Sequence, residues 1–309
     1  MSRQHTVLII KPGYSETFVP HVRAVCSLGD VLRTTPILHL FKDHHVTWLT
    51  DEAAVPLLQG NSRIDRLVTF GDLKVLEIEG ERFDKVVNLE KVPELCGMAD
   101  RIQAWKRYGF TLDPRTGKAA ACEEAYESLV IRTHEDAQRL TRSWVELVYD
   151  MLGATWQGEG YLLGYQPKTS ECYDIGFNVN VGTLCPLKAW PADCWDDLNA
   201  RVAGKYRTSY QQCLQDLDGY MDWINSCRLL VTNDSLGLHL GLALGKQVLA
   251  LFGPTTSSDL GHWDNLHIAS SPTPCACRPC YATDCVLDET CMRGISPALI
   301  FEHVERILV

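Results

Sequence analysis

The sequence has no apolar stretch of the length needed to cross a bilayer. Its first residues offer only Val7 to Ile10 before Lys11 and Pro12, so no signal peptide is visible and a cytoplasmic protein is expected. An excess of basic residues is missing as well. Asp and Glu outnumber Lys and Arg by 39 to 29, a formal net charge of -10. Such a surface repels polyanions, which argues against nucleic acid or an anionic membrane as the main partner. There is no internal repeat and no low-complexity segment. No G-x-G-x-x-G follows an apolar run and opens a helix, which leaves a dinucleotide oxidoreductase with little support. What remains is a chain of 309 residues, 46% hydrophobic and 22% charged, of globular composition and long enough for two domains.

Cysteine, in contrast, is abundant. Cys26, Cys96, Cys122, Cys172, Cys185, Cys194, Cys213 and Cys227 are scattered. Without a secretion signal they read as free thiols in a reducing compartment. The other five crowd into Cys275-x-Cys277-x2-Cys280-x4-Cys285-x5-Cys291. Two close thiolates followed by two more at short spacing suit a tetrahedral zinc or iron site. Pro274 and Pro279 stiffen the loops that would present them. Free thiols, or a disulfide formed during purification, are the alternative.

The stretch Arg228 to Pro254 organises the rest of the chain. Leu229 to Val231 reads as a buried strand. Asn233, Asp234 and Ser235 form a polar break able to cap a helix. Leu236 to Leu244 is a helix apolar nearly all round, ended by Gly245. Gln247 to Phe252 is a second buried strand, turned by Gly253 and Pro254. A strand–helix–strand unit implies a parallel sheet. The amides at the helix start, with the helix dipole, attract phosphate. Gly237 would let a ligand approach the backbone, and His239 could reach the same anion. By spacing alone, ordinary capping and a satisfied core histidine are the simpler reading. The switch-point rule for α/β sheets is the argument on the other side.

The remaining pattern alternates likewise. Strands are expected at Thr6 to Ile10, His45 to Leu49, Arg66 to Phe70, Lys85 to Leu89 and Ile175 to Val179. A helix from Val31 to Phe41 starts at Asp30 and is kinked or shortened by Pro36. Asp51 to Leu58 is a short helix ended by Gly60, and Glu90 to Arg107 reads mostly helical. Glu123 to Leu129, His134 to Leu152 and Gly219 to Asn225 are further helices, and Pro191 opens one at its first position. Pro297 to Val309 is a closing amphipathic helix. Lys11 to Ser27 is a long irregular loop, functional or mobile. Gly158 to Cys172 reads as a linker. The expected architecture is α/β, with two Rossmann-like domains facing a cleft: residues 1–160, residues 161–296 with the cysteine loop, and the closing helix 297–309.

Five segments in order resemble the family 9 glycosyltransferases, the bacterial heptosyltransferases of the GT-B fold. They are Ser27 to Leu40 (SLGDVLRTTPILHL), Trp48 to Val68 (WLTDEAAVPLLQGNSRIDRLV), Pro186 to Pro191 (PLKAWP), Thr232 to Thr255, and Cys291 to Pro297 (CMRGISP). Pro12 to Thr17 (PGYSET) leans towards the subgroup that modifies autotransporter proteins, in which the cysteine cluster holds iron and the enzymes assemble into large rings. The resemblance implies a first domain for the acceptor and a second for an ADP-heptose-like nucleotide sugar, with inverting transfer and no catalytic divalent metal. The acceptor is then a protein, such as a Ser of an autotransporter, or a glycan. A lipopolysaccharide core or a small molecule is the alternative acceptor, and a homo-oligomer is a further expectation.

Carried over residue by residue, the donor diphosphate falls to Asp234, Ser235, Gly237, Leu238 and His239, with Lys188 as the cation and Thr183 as a hydroxyl contact. Asp30, in the Gly-Asp-Val-Leu segment, is the general base; taken alone it would be a helix cap. Lys11 and Arg33 flank it and could orient the donor or the acceptor. Cys277, Cys280, Cys285 and Cys291 are the ligands of one structural metal ion, iron or else zinc, and Cys275 is the spare. The family usually carries Gly-Gly-x-x-Glu in the region of Val202 to Asp218, and here it is missing, so no nucleoside contact transfers. That gap keeps a second class of function open, a metal-dependent binding or sensing protein on a non-catalytic GT-B scaffold.

Overall fold

The computed structural model describes residues 5–14, 25–129, 141–182, 185–213, 215–286 and 289–309. It divides between Tyr165 and Gln166 into two compact α/β units, each built on one sheet.

The first unit contains β1 (His5–Ile10), β2 (His44–Thr50), β3 (Arg66–Thr69), β4 (Arg82–Asn88), β5 (Gln103–Leu112) and β6 (Ala119–Ala121). Their order is β3-β2-β1-β4-β5-β6, parallel except for β6, which lies antiparallel on β5. Val7 to Ile10 are fully buried because the central strand of a parallel sheet is covered on both faces. The strands run outward from β1 to β3 and then return to β4 on the other side of β1. The reversal between β1 and β4 is the switch point, where loops splay apart and α/β proteins place ligands.

Helices α1 (Leu28–Thr34), α2 (Val55–Leu58), α3 (Lys74–Gly80), α4 (Pro93–Arg101) and α5 (Trp144–Met151) accompany this sheet. The helix expected from Val31 to Phe41 becomes 3₁₀ from Thr35 onward, since Pro36 lacks the amide an α-helix needs there. Asp30 is the third residue of α1 and Ser27 holds the cap position. The helix expected from Glu90 to Arg107 ends at Arg101, and β5 begins at Gln103. The first half of β5 exposes Gln103, Trp105 and Lys106, so it lacks the clean alternation that announces a strand. Of the helix expected from His134 to Leu152, residues 134–140 lie outside the described residues. From Trp144 to Met151 it is α5, started by a capping box of Ser143 and Glu146.

The segment read as a linker is docked on either side. Leu162 N donates to Thr35 Oγ1 at 2.9 Å and Gly164 N to Leu57 O at 2.7 Å in the first unit. Lys168 N donates to Asp222 Oδ1 at 2.7 Å and Cys172 N to Ser226 O at 2.8 Å in the second.

The second unit contains β7 (Tyr173–Asn178), β8 (Thr208–Tyr210), β9 (Cys227–Asn233), β10 (Gln247–Phe252) and β11 (Leu266–Ser270), with α6 (Ala192–Val202), α7 (Leu217–Asn225), α8 (Leu236–Ala243) and α9 (Pro297–Leu308). The order is β11-β10-β9-β7-β8, all parallel, and the reversal lies between β7 and β9, where Asn178 pairs with Thr232. Ile175, Phe177, Leu229, Val231, Leu249 and Leu251 form the core with Trp195 and Leu198 of α6 and Ile300 and Val304 of α9. Among the described residues, no helix is long and apolar enough to cross a membrane.

Candidate functional site

In the second unit the polar break after β9 is fully engaged. Asn233 Oδ1 accepts from Trp190 N at 3.0 Å, and Asn233 Nδ2 donates to Val179 O at 2.9 Å. The Trp190 indole donates to Ile295 O at 2.9 Å and meets Trp195 edge-on. These contacts fix the loop that carries Lys188 beside the end of β9. Lys188 Nζ lies 3.0 Å from Asp234 Oδ2, which also accepts from the Thr255 hydroxyl at 2.8 Å. Burial pushes the Asp234 carboxyl up, but Lys188, Thr255 and His239 together outweigh it, and the group is held below the usual carboxylate range.

Ser235 is the N-cap of α8, yet its side chain makes no cap hydrogen bond. Its hydroxyl instead accepts from Asn178 Nδ2 at 3.0 Å. Asn178 Nδ2 also donates to Thr232 Oγ1 at 2.7 Å, and Asn178 Oδ1 accepts from the Tyr220 hydroxyl at 2.6 Å. Gly237 packs against this network. A Cβ there would stand 2.3 Å from Asn178 Nδ2 and 2.5 Å from the Tyr220 oxygen. Protein packing thus requires a glycine here, whether or not a ligand approaches the backbone. Leu238 and His239 are buried in the first turn of α8. The structure therefore brings Lys188, Asp234, Ser235, Gly237, Leu238 and His239 to one switch point. Thr183 lies outside the described residues.

In the first unit, Asp30 is 7% exposed and, among the described residues, its Oδ2 has no hydrogen-bond partner, while Oδ1 faces Arg33 at 3.6 Å. Lys11, at the end of β1, is buried and paired at 3.1 Å with Glu90, which is itself fully buried. Glu90 was not singled out by sequence reasoning, because an acid after an apolar strand looks like the polar start of a helix. Asn178 and Tyr220 were missed for a similar reason, since nothing in their spacing marks them.

The cysteine segment leans on the turn after β10. Cys280 N and Tyr281 N donate to Pro254 O at 2.8 and 3.2 Å. The sulfurs of Cys275 and Cys277 are 2.7 Å apart, and that contact pushes the Cys277 thiol up to about 11. Burial raises the Cys291 thiol; Arg278 opposes this, and Cys280, Cys285 and Cys275 add to it. Thiols are the soft donors that iron or zinc prefers. Among the described residues, no three His, Cys, Asp or Glu side chains stand in a set that would hold a metal ion.

Where the family's Gly-Gly-x-x-Glu is missing, the chain forms β8, and Gln211 after it accepts from Asn180 N at 2.9 Å.

Residues 214–290 match the model of glycosyltransferase family 9 (heptosyltransferase). That match contains the start of α8 and four of the five clustered cysteines. A lipooligosaccharide heptosyltransferase 2 of Campylobacter jejuni is 31% identical over 83 residues, which is 26% of this chain and 26% of that protein. The match thus spans about a quarter of the length of that curated relative. The fold likeness extends much further. The E. coli heptosyltransferase WaaC, solved with ADP-2-deoxy-2-fluoro heptose, superposes over 97% of this chain and 99% of its own, with a TM-score of 0.62 and 15% identity. The iron-containing dodecameric glycosyltransferase TibC from enterotoxigenic E. coli H10407 superposes over 99% of this chain and 76% of its own, with a TM-score of 0.63 and 12% identity. The fold is that of the GT-B heptosyltransferases.

Proposed function

We propose that this protein is an inverting glycosyltransferase that moves a heptose or related sugar from an ADP-sugar to a hydroxyl acceptor. The observation that carries the reading is the cluster of Lys188, Asp234, Thr255 and His239 at the start of α8, all but Lys188 inside the segment that matches family 9. An ammonium, a helix N-terminus and an imidazole are the groups that stabilise negative charge growing on a leaving diphosphate. Asp30 takes the proton of the acceptor hydroxyl on its Oδ2. The acceptor oxygen then bonds to the anomeric carbon as the bond from that carbon to the diphosphate breaks, and ADP leaves with the bonding pair.

The acceptor we favour is a hydroxyl of a protein, such as a Ser of an autotransporter, on the strength of the PGYSET segment. A saccharide acceptor is the second reading, supported by the local match to the lipooligosaccharide enzyme. The likeness to the dodecameric TibC supports a homo-oligomer, and the reading implies a cytoplasmic enzyme. Cys277, Cys280, Cys285 and Cys291 would hold one metal ion, iron or else zinc, which would order the loop behind Pro254 and supply folding free energy.

The test is incubation with ADP-heptose and candidate acceptors, reading ADP release and sugar transfer. Asp30→Asn keeps a polar side chain but removes the proton acceptor, and turnover should fall roughly 10²–10⁴-fold, the usual worth of a positioned base. A protein that neither binds ADP nor turns over ADP-heptose would be the metal-binding scaffold instead.

A further inference from the structure

The switch point of the first unit is held by one buried carboxylate. Glu90 lies two residues beyond the end of β4 and is fully buried. Its backbone is pinned on both sides. Glu90 N donates to Asn88 Oδ1 at 3.2 Å, and Glu90 O accepts from Asn88 Nδ2 at 3.2 Å and from the Cys96 thiol at 3.3 Å. Asn88 Nδ2 is in turn held to Phe110 O at 2.8 Å. The neighbouring Leu89 N donates to Ile10 O at 3.1 Å, which joins the ends of β4 and β1. A side chain on so rigid a base is a fixed point.

From this point a short chain of contacts leads to Asp30. Glu90 Oε1 lies 3.1 Å from Lys11 Nζ and accepts from Gly13 N at 2.6 Å. Gly13 has φ +85, and a Cβ on it would stand 2.8 Å from Ser27 O, so two backbone segments meet where only glycine fits. Gly13 O accepts from Ser27 N at 2.8 Å. Ser27 O then accepts from Val31 N at 3.1 Å, the first hydrogen bond of α1, and Asp30 sits in that turn. Two hydrogen bonds therefore join the Glu90 carboxylate to the residue that starts the helix of Asp30.

We propose that Glu90 is a positioning residue for sugar transfer: its carboxylate clamps Gly13 and, through Ser27, sets where the Asp30 carboxylate stands. The proposal rests on the reading of Asp30 as the base. It also explains why a fully buried acid sits at a switch point while touching the loop by its backbone. Lys11 balances the charge, and Gly13 receives the geometry. A base displaced by about 1 Å can lose on the order of 10² in rate, so a clamp this far from the chemistry still matters to turnover.

The experiment compares Glu90→Asp with Glu90→Gln in the full chain. Asp keeps the negative charge beside Lys11 but is one methylene too short for Gly13 N. Gln keeps the reach and gives up the charge. Three quantities are read: kcat for sugar transfer, KM for the donor, and hydrogen exchange at the Gly13 and Ser27 amides. The expected result is that Glu90→Asp loses about 10–100-fold in kcat with donor KM unchanged and faster exchange at both amides. Glu90→Gln should lose less in kcat and keep both amides protected. Wild-type kcat in Glu90→Asp would overturn the clamp, as would a Glu90→Gln variant that is the worse of the two, since charge and not reach would then decide. A fall of kcat and donor affinity together would mean general damage and also overturn it. If the wild-type chain transfers no sugar, the catalytic reading falls on its own. The exchange data then judge the contact, and unchanged protection in Glu90→Asp would reject it.

Discussion

Asp234 Oδ2 lies 3.0 Å from Lys188 Nζ while accepting the Thr255 hydroxyl at 2.8 Å, so a single carboxylate oxygen joins the loop before α6 to the turn after β10. Lys188 is thereby held at the start of α8. The cation is preorganised, so little side-chain entropy would be lost if an anion bound there.

The first prediction concerns this cation. Removing a charged hydrogen-bonding partner costs about 1.5–3 kcal/mol, so Lys188→Ala should weaken ADP binding roughly 10–150-fold. His239→Ala should weaken it in the same direction with the fold retained. Calorimetry with ADP gives the answer, and unchanged affinity in both variants would remove the nucleotide from α8.

The second concerns pH. The Asp234 carboxyl is depressed in the folded chain despite its burial. A depressed group adds stability above its unfolded value of about 3.9, and the contribution is lost as pH falls through the lower folded value. Wild type should therefore melt higher than Asp234→Asn at neutral pH, and the gap should close in acid below about pH 4. Melting curves from pH 7 down to 3 test it; a gap that stays constant would mean the carboxylate charge is not the source.

A third prediction separates packing from ligand contact. Gly237→Ala drives a methyl into the Asn178 amide and the Tyr220 hydroxyl. Overpacking of this kind costs about 1–3 kcal/mol. The melting temperature should fall even without ligand, and ADP affinity should fall with it. A variant as stable as wild type that only loses ADP would make ligand contact, and not packing, the reason for the glycine.

The fourth concerns the clustered thiols. Ser at Cys277, Cys280, Cys285 or Cys291 should lower both metal content and thermal stability, whereas Cys275→Ser should do less. Elemental analysis of protein purified under reducing conditions is the measurement. Folded, active protein free of metal would exclude the site.

Much of the framework was legible because buried parallel strands leave plain apolar runs. Leu229 to Val231 and Gln247 to Phe252 are of this kind, and so is Val7 to Ile10. Strands without such runs escaped notice. β8 has three residues, and β11 is flanked by polar positions and half exposed. The first half of β5 carries Lys and Arg that read as helix. At the site, polar residues near α8 were legible as a group but not in their roles. Asn233, Asp234 and Ser235 look like caps, yet the fold commits them to Trp190, Lys188 and Asn178. Those partners lie 43 to 57 residues away, and no local pattern announces them. Glu90 is hidden for the same reason, since its meaning depends on Gly13, 77 residues earlier.

Pro254, on whose carbonyl the amides of Cys280 and Tyr281 converge, directly precedes Thr255, whose hydroxyl holds Asp234. If the start of α8 takes the nucleotide and the cysteine segment an ion, as proposed above, the two equilibria share a common stretch of backbone. An ion that ordered the cysteine segment would then also order the turn after β10, and reciprocity fixes the converse. Whatever factor the ion adds to ADP affinity, ADP must add to the affinity for the ion. A chelator titration followed with and without ADP would measure that factor from either end. Equal metal affinity under both conditions would mean that the shared turn passes nothing between them.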